Sequence, residues 1–156
     1  MSRLYSPQGG RVVIDLHTGY QGYHADMART IFLPDTGPEP REAYAYFKGH
    51  VAEVIGRVKA GVAMQDVRRW FHQGFERRED WIPLTGPTLY GVGLKNFELP
   101  ALEHPFEATG YIQDTEANMV LALSNIGLYS KQGWGVRVEE TFVVTEGEPI
   151  ILTKDA

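Results

Sequence analysis

Apolar residues near the start of the chain follow two different spacings. Residues 11–33 hold short runs rich in β-branched side chains around glycine-containing turns, which predicts a β-hairpin with a wide connection. In residues 41–59 the apolar positions recur about every 3.6 residues, and Gly61 follows them, which predicts a helix that ends at a glycine cap. The same spacing over residues 64–78 predicts a second helix.

The second half of the chain changes to short apolar runs. Residues 90–94, 119–123, 136–144 and 150–152 are separated by glycine and polar residues. The last three runs predict antiparallel strands, and the glycine-rich run at 90–94 predicts a short strand or a turn. The order of a hairpin, two helices and then strands indicates an α+β fold. A length of 156 residues suits one domain, and an apolar fraction of 43% suits a packed core.

Charge and composition narrow the classes of partner. The formal net charge is −5, so no basic surface favours nucleic acid or an anionic membrane. Cysteine is absent, which excludes thiolate metal sites and suits a reducing compartment. No apolar run reaches the ~20 residues that span a bilayer, and the amino terminus has no signal-peptide core. We therefore expect a cytoplasmic protein that binds a peptide or a small molecule, without nucleic acid or membrane partners.

Two aspartates on the predicted hairpin are the first candidates for chemistry. Asp15 and Asp26 are eleven residues apart, one on each strand, so the hairpin can bring both carboxylates to one cavity. Converging carboxylates repel unless a cation or a proton lies between them, and hard divalent ions accept such ligands. The alternative is that both aspartates cap the turns around Gly19 and Gly22.

Four sequence blocks carry a family resemblance. They read VVIDLHTGYQGYHADMARTIFLP, YGVGLKNFELP, NMVLALSNIGLY and GWGVRVEETFVVTEGEPIILT, and they span residues 12–153. In content and order they resemble the motifs of the pita-bread metallopeptidases, the family of prolidase, Xaa-Pro aminopeptidase, methionine aminopeptidase and creatinase. The resemblance implies the carboxyl-terminal half of the pita-bread fold, in which two helices cover a curved antiparallel sheet.

The resemblance also implies a two-metal site with five protein ligands. Asp15, Asp26 and Glu139 match three of these ligands, and Glu139 is also a catalytic candidate. Tyr90 stands at the position of the family's histidine, and Ser124 stands at that of its other glutamate. The block around Ser124 has an apparent one-residue insertion, which allows this assignment to shift by one residue, but the asparagine that follows Ser124 supplies no carboxylate either. The resemblance therefore implies a degraded centre that holds at most one divalent ion (Mn²⁺, Co²⁺, Zn²⁺ or Mg²⁺), or none.

Further residues receive roles from the same resemblance. Glu98 is a catalytic candidate for proton transfer, and Phe97 replaces the family's second histidine, which helps to position substrate. Arg137 is a candidate for binding a substrate carboxylate. His17 replaces a family glycine and is a candidate substitute ligand, whereas His24 is expected to point away from the site.

Three functions remain open from the sequence. The first is an Xaa-Pro dipeptidase- or aminopeptidase-like hydrolase whose incomplete metal site leaves it weakly active or inactive alone. The second is a pseudo-enzyme that keeps the fold to bind a peptide or a protein partner. The third is a creatinase-like enzyme that acts on a small substrate without a metal, although an essential histidine of such enzymes belongs to the upstream half of the fold.

The domain organisation follows from the same comparison of motifs. We expect one partial domain over residues 1–156, in which the hairpin at 12–33 is a remnant of the first half and residues 41–156 form the second half. The elements that cover the hairpin in the family are then expected to be absent. Because an uncovered hairpin exposes apolar surface and a strand edge, we expect a homo-oligomer or a second chain that covers it.

Overall fold

The described residues form two helices and several antiparallel strands. The structure is a computed structural model, and it describes residues 10–75, 80–83, 88–102, 114–124 and 126–154. In chain order the described elements are β1 (Arg11–Tyr20), β2 (Tyr23–Phe32), α1 (Pro38–Gly56), α2 (Met64–Gln73), β3 (Trp81–Pro83), β4 (Thr88–Gly91), β5 (Glu98–Leu102), β6 (Val120–Ser124), β7 (Gly127–Ser130), β8 (Gly135–Arg137), β9 (Glu140–Val143) and β10 (Ile150–Ile151). The predicted α+β class is confirmed.

A long hairpin opens the described part of the chain. β1 and β2 pair along their whole length, up to Tyr20 opposite Tyr23. Only Gln21 and Gly22 connect them, with φ angles of 50° and 86°. Two successive left-handed residues are typical of the tight type I′ turn. The predicted wide connection is therefore wrong, because the glycine lets the chain reverse directly.

Both helices pack on the sheets through one apolar core. α1 begins at Pro38, earlier than predicted, because proline is well suited to the first turn of a helix. α2 begins at Met64 as predicted and ends at Gln73, short of the predicted position 78, which lies outside the described residues. No helix in the described ranges is long and apolar enough to cross a membrane. The largest fully buried apolar side chains of the core are Phe47, Phe71, Phe142, Ile55, Met64, Leu89, Leu121, Leu123, Ile126 and Leu128.

The strands after the helices form two further sheets. One sheet has the strand order β10-β9-β6-β4-β5, and the other has the order β3-β7-β8. The run predicted as a single strand over 136–144 is divided between β8 and β9. The division falls at Val138 and Glu139, because Glu139 leaves the sheet and pairs with Ala28 of the hairpin.

The base of the hairpin is fixed against β8 and β9. Ala28 and Glu139 exchange two backbone hydrogen bonds of 3.3 and 3.1 Å. Next to them, the Thr30 hydroxyl donates to the carbonyl of Arg137 at 3.0 Å and accepts from its N–H at 2.8 Å. These contacts bring one face of the hairpin over the residues that link the two sheets.

The opposite face of the hairpin is partly exposed, because Met27 and Arg29 of β2 are largely buried there but their apolar neighbours are not. Val12 of β1 lies opposite Ile31 of β2, and these two side chains are 47% and 49% exposed. Leu16 on the same face is 42% exposed. Among the strands that the structure describes, β1 pairs with β2 alone. The hairpin thus presents an apolar face and an open strand edge.

Candidate metal centre

Three potential metal ligands share the inner face of the hairpin. Asp15 and His17 are two residues apart on β1, so their side chains point to the same side. Asp26 lies directly opposite His17, whereas Asp15 lies opposite Ala28. The two aspartates are therefore diagonal neighbours, with His17 between them. Ligand atoms of Asp15, His17 and Asp26 all lie within 4.8 Å of one another.

Asp26 is the buried member of this group. Its side chain is 0% exposed, and the Thr141 hydroxyl bonds both its backbone N–H, at 3.0 Å, and its carbonyl, at 2.7 Å. The Tyr90 hydroxyl donates a hydrogen bond to Asp26 Oδ2. Asp26 Oδ1 has no hydrogen-bond partner among the described residues. An unpaired buried carboxylate oxygen costs free energy, so this atom is well placed for a cation.

Tyr90 and Ser124, at the two degenerate ligand positions, contribute only hydroxyl groups. Burial, reinforced by the hydrogen bond to Asp26, raises the pKa of the Tyr90 phenol well above its ordinary value of 10.0. A phenol with a raised pKa stays protonated at neutral pH and acts as a hydrogen-bond donor, not as an anionic ligand. Ser124 is buried, and its side chain also hydrogen-bonds with the Tyr90 hydroxyl.

Arg137 places a positive charge between two of the acidic residues. Its Nη1 donates to Asp15 Oδ2 at 3.0 Å, and its Nη2 donates to Glu139 Oε1. Glu139 is 1% exposed, and this burial raises the pKa of its carboxyl; Arg137 opposes the rise, while Asp15 and Asp26 add to it. The predicted role of Arg137 in binding a substrate carboxylate stays a prediction, and its guanidinium here contacts protein carboxylates.

Phe97 lies next to Tyr90, whereas Glu98 lies in a separate cleft. The Phe97 ring is 44% exposed and packs on Tyr90 with 4.6 Å between ring centroids. Glu98 lines a neighbouring cleft of about 440 Å³ together with His24 and Gly93, and none of the three acidic residues is among its described lining residues. His24 lies on the same face of β2 as Asp26, because residues two apart on a strand point to the same side. This differs from the expectation that His24 points away.

The structure places His17 beside both aspartates of the hairpin. Its Nε2 lies 3.4 Å from Asp15 Oδ1, and its Nδ1 lies 3.6 Å from Asp26 Oδ1. The amide of Asn96 also hydrogen-bonds with His17 Nδ1. The spacing of two residues from Asp15 is the signal that the sequence contained, but only the register of the hairpin puts His17 opposite Asp26.

The two-metal centre that the sequence resemblance implies does not fit these residues. Two divalent ions bring about four positive charges and need bridging and terminal carboxylates. Asp15, Asp26 and Glu139 supply three negative charges, and the bound guanidinium of Arg137 already offsets one of them. The remaining positions hold neutral hydroxyls. The described residues thus offer fewer anionic ligands than a two-metal centre requires.

Comparisons with known proteins support the family resemblance and the fold. The model of a protein family described as metallopeptidase family M24 matches residues 6–146. An uncharacterized peptidase of Staphylococcus epidermidis is 29% identical over 147 residues, which cover 92% of this chain and 39% of the relative. An Xaa-Pro dipeptidase of Pyrococcus furiosus is 27% identical over 150 residues, which cover 94% of this chain and 40% of the relative.

Solved structures extend the likeness to three dimensions. A prolidase from Pyrococcus furiosus matches 96% of this chain and 42% of its own, with a TM-score of 0.78 and 24% sequence identity. The predicted pita-bread fold is thereby confirmed. The chain spans about two fifths of the length of the curated relatives that it matches.

Proposed function

Because the chain belongs to metallopeptidase family M24, we propose that it is an Xaa-Pro dipeptidase-like domain with a reduced metal centre. The centre binds at most one divalent ion. The chain alone cleaves Xaa-Pro dipeptides weakly or not at all. The substrate class is suggested by a relative that is an Xaa-Pro dipeptidase, and the reduced centre is suggested by the side chains around Asp26.

The hydrogen bond from Tyr90 to Asp26 is the observation that carries this proposal. Where the family motif has a metal-binding imidazole, this chain has a neutral phenol that donates a hydrogen bond to the neighbouring carboxylate. A donor at this position occupies a carboxylate oxygen that would otherwise face a metal. Arg137 does the same to one oxygen of Asp15. Both contacts support a centre with fewer ions.

The same contacts limit the hydrolytic chemistry of the chain. Peptide hydrolysis needs an activated water and a group that returns a proton to the leaving amine. Glu139 is bonded to Arg137, and Glu98 lines the neighbouring cleft. Neither arrangement supplies a base and an acid that converge on one reacting atom. Weak or absent turnover is the expected consequence.

Metal content and peptide turnover together test the proposal. We expect the purified chain, loaded with Mn²⁺, Co²⁺ or Zn²⁺ and then desalted, to retain at most one ion per chain by mass spectrometry. An Xaa-Pro dipeptide incubated with it should be hydrolysed near the uncatalysed rate, with little change after chelation. Two bound ions per chain together with metal-dependent turnover would overturn the proposal.

Binding without catalysis is the second candidate function. The cleft that contains Glu98 also contains Leu99, Met119 and Leu152, and Leu99 on its rim is 65% exposed. A concave, partly apolar site with a few polar groups is typical of peptide or small-molecule binding. Calorimetry with an Xaa-Pro dipeptide separates the two candidates, because binding without hydrolysis favours a pseudo-enzyme.

The exposed face of the hairpin leads to a proposal about partners. We expect a homo-oligomer in which a second copy covers Val12 and Ile31, because exposed apolar pairs on an open strand edge favour association. Light scattering should give a mass above that of one chain. Lysine at both positions should convert the assembly to a monomer, whereas Ile150→Lys, at a residue 57% exposed on β10, should not. A monodisperse wild-type monomer would contradict this proposal.

A further inference from the structure

Each hairpin aspartate divides its two oxygens between different neighbours. Asp15 Oδ2 accepts from Arg137 at 3.0 Å, and Asp26 Oδ2 accepts from Tyr90. The two Oδ1 atoms face His17 instead, at 3.4 and 3.6 Å. Arg137 and Tyr90 therefore orient the two carboxylates so that one oxygen of each points toward the imidazole.

The distances to the imidazole do not correspond to hydrogen bonds. Charge-assisted N–H···O bonds measure about 2.7–2.9 Å, which is shorter than both contacts of His17. Ligand atoms about 2.1 Å from a tetrahedral ion lie about 3.4 Å from one another. The 3.4 Å between Asp15 Oδ1 and His17 Nε2 is thus the spacing of two ligands of one ion. Asp26 belongs to the same cluster, in which one ligand atom of each of the three residues lies within 4.8 Å of the others, so small side-chain rotations bring all three onto one ion.

Burial and access also suit an ion at this point. Asp26 Oδ1 is a buried carboxylate oxygen without a hydrogen-bond partner in the described ranges, so it gains most from a cation. The side chains of Asp15 and His17 are 34% and 49% exposed, which leaves an entry path and room for water ligands. The buried Asp26 Oδ1 thus lies at the bottom of the site, and the more exposed side chains of Asp15 and His17 lie at its opening.

Asn96 supports a metal-binding orientation of His17. Its amide contacts Nδ1, so Nε2, on the side of Asp15, is the nitrogen that remains for an ion. The amide oxygen of Asn96 is buried and has no hydrogen-bond partner among the described residues. Rotation of the amide by half a turn makes this oxygen accept a hydrogen bond from Nδ1–H, which leaves the lone pair on Nε2. Outer partners of this kind commonly orient histidine ligands.

We infer that Asp15, His17 and Asp26 form a one-ion site in which His17 takes over the imidazole ligation lost at Tyr90. Arg137, Tyr90 and Asn96 are its positioning residues. The inference deepens the proposed function and rests on it only for the statement that no second ion binds.

The ligand set also indicates the class of ion. One imidazole with two carboxylates suits Zn²⁺ or Co²⁺ better than Mg²⁺, which prefers oxygen ligands alone. Imidazole ligation therefore distinguishes this site from one made by the carboxylates alone. Removal of His17 should weaken Zn²⁺ binding much more than Mg²⁺ binding.

Calorimetry and visible spectroscopy on the full chain test the inference. We expect one Zn²⁺ per chain for the wild type, and binding weakened about tenfold or more by His17→Gln. His24→Gln is the matched control, because it removes the other hairpin imidazole, and it should bind Zn²⁺ like the wild type. The visible absorption bands of bound Co²⁺ should change in His17→Gln and not in His24→Gln. Circular dichroism verifies that both variants fold.

The possible results separate this inference from the proposed function. One ion bound equally well by the wild type and His17→Gln would overturn the inference and leave the proposed function intact. No Zn²⁺ binding by the folded wild type at millimolar concentration would also overturn the inference and leave the proposed function intact. Two ions per chain would overturn the proposed function, and the loss of one of them in His17→Gln would still support His17 as a ligand.

Discussion

Replacing Arg137 with methionine is expected to lower the free energy of unfolding by about 3 kcal/mol at neutral pH. The guanidinium bonds Asp15 and Glu139, and its own side chain is only 22% exposed. Without it, the fully buried carboxylate of Glu139 loses this ion pair in the folded state. Urea unfolding monitored by tryptophan fluorescence measures the change.

The loss should depend on pH with a definite sign. Burial already raises the pKa of Glu139 above its ordinary 4.5, and Arg137 opposes the rise, so its removal raises this pKa further. A carboxyl with a raised pKa in the folded state makes the protein less stable as pH increases through that range. The destabilisation by Arg137→Met should therefore be largest at neutral pH and shrink as pH falls toward 4.5.

Arg69→Met is the matched control for this experiment. Arg69 also forms an ion pair, with Asp66 at 2.6 Å, but its side chain is 63% exposed. Exposed pairs contribute about 0–1 kcal/mol, so the variant should unfold almost like the wild type at both pH values. Equal effects of the two substitutions would show that Arg137 does not compensate buried charge.

Restoring the family residues at the two degenerate positions should rebuild a two-metal centre. In the double variant Tyr90→His, Ser124→Glu, an imidazole and a carboxylate replace two hydroxyls beside Asp26 and Glu139. We expect two ions per chain and Mn²⁺ or Co²⁺ binding tighter by about 100-fold, or roughly 2.7 kcal/mol. Calorimetry gives the affinity, and mass spectrometry gives the stoichiometry.

The repair needs a control for the loss of the original hydroxyls. Tyr90→Phe, Ser124→Ala removes the same hydrogen bonds without adding ligands, so it should gain no second ion. Because a buried glutamate at position 124 is costly without metal, the melting temperature of the repaired variant should rise on adding metal. A repaired variant that folds but still binds no more than one ion would show that the cavity itself excludes the second.

The sequence predicted the hairpin and its aspartates well, but not their exact neighbours. Motif resemblance located Asp15 and Asp26 because the ligand types and their spacing are characteristic. It gives His17 only as a candidate substitute ligand, because the residue opposite Asp26 depends on the turn, and a wide connection leaves that residue undetermined. The positive φ angles of Gln21 and Gly22 make the turn tight and so fix this register, whereas the predicted wide connection does not fix it.

Elements stabilised by distant contacts were the hardest to predict. α1 and α2 have strong helical periodicity, so their existence followed from local pattern. β3, β5 and β7 were missed, because each has at most five residues, too few for a clear alternation of apolar and polar positions. The partner of β3 is also distant, since it pairs with β7. The break between β8 and β9 arises from the pairing of Glu139 with Ala28, a tertiary contact that no local pattern reveals.

The two-residue connection between β1 and β2 has a consequence for sequence variation in this chain. Side chains alternate between the two sides of a strand, so a shift of pairing by one residue exchanges the sides of a whole strand. A single insertion after Tyr20 that moved β1 along β2 would turn His17 outward and bring Leu16 inward. We therefore expect this turn to tolerate insertions and deletions less well than most surface positions tolerate substitutions. Exposed turns usually accept changes in length, so this turn differs from most.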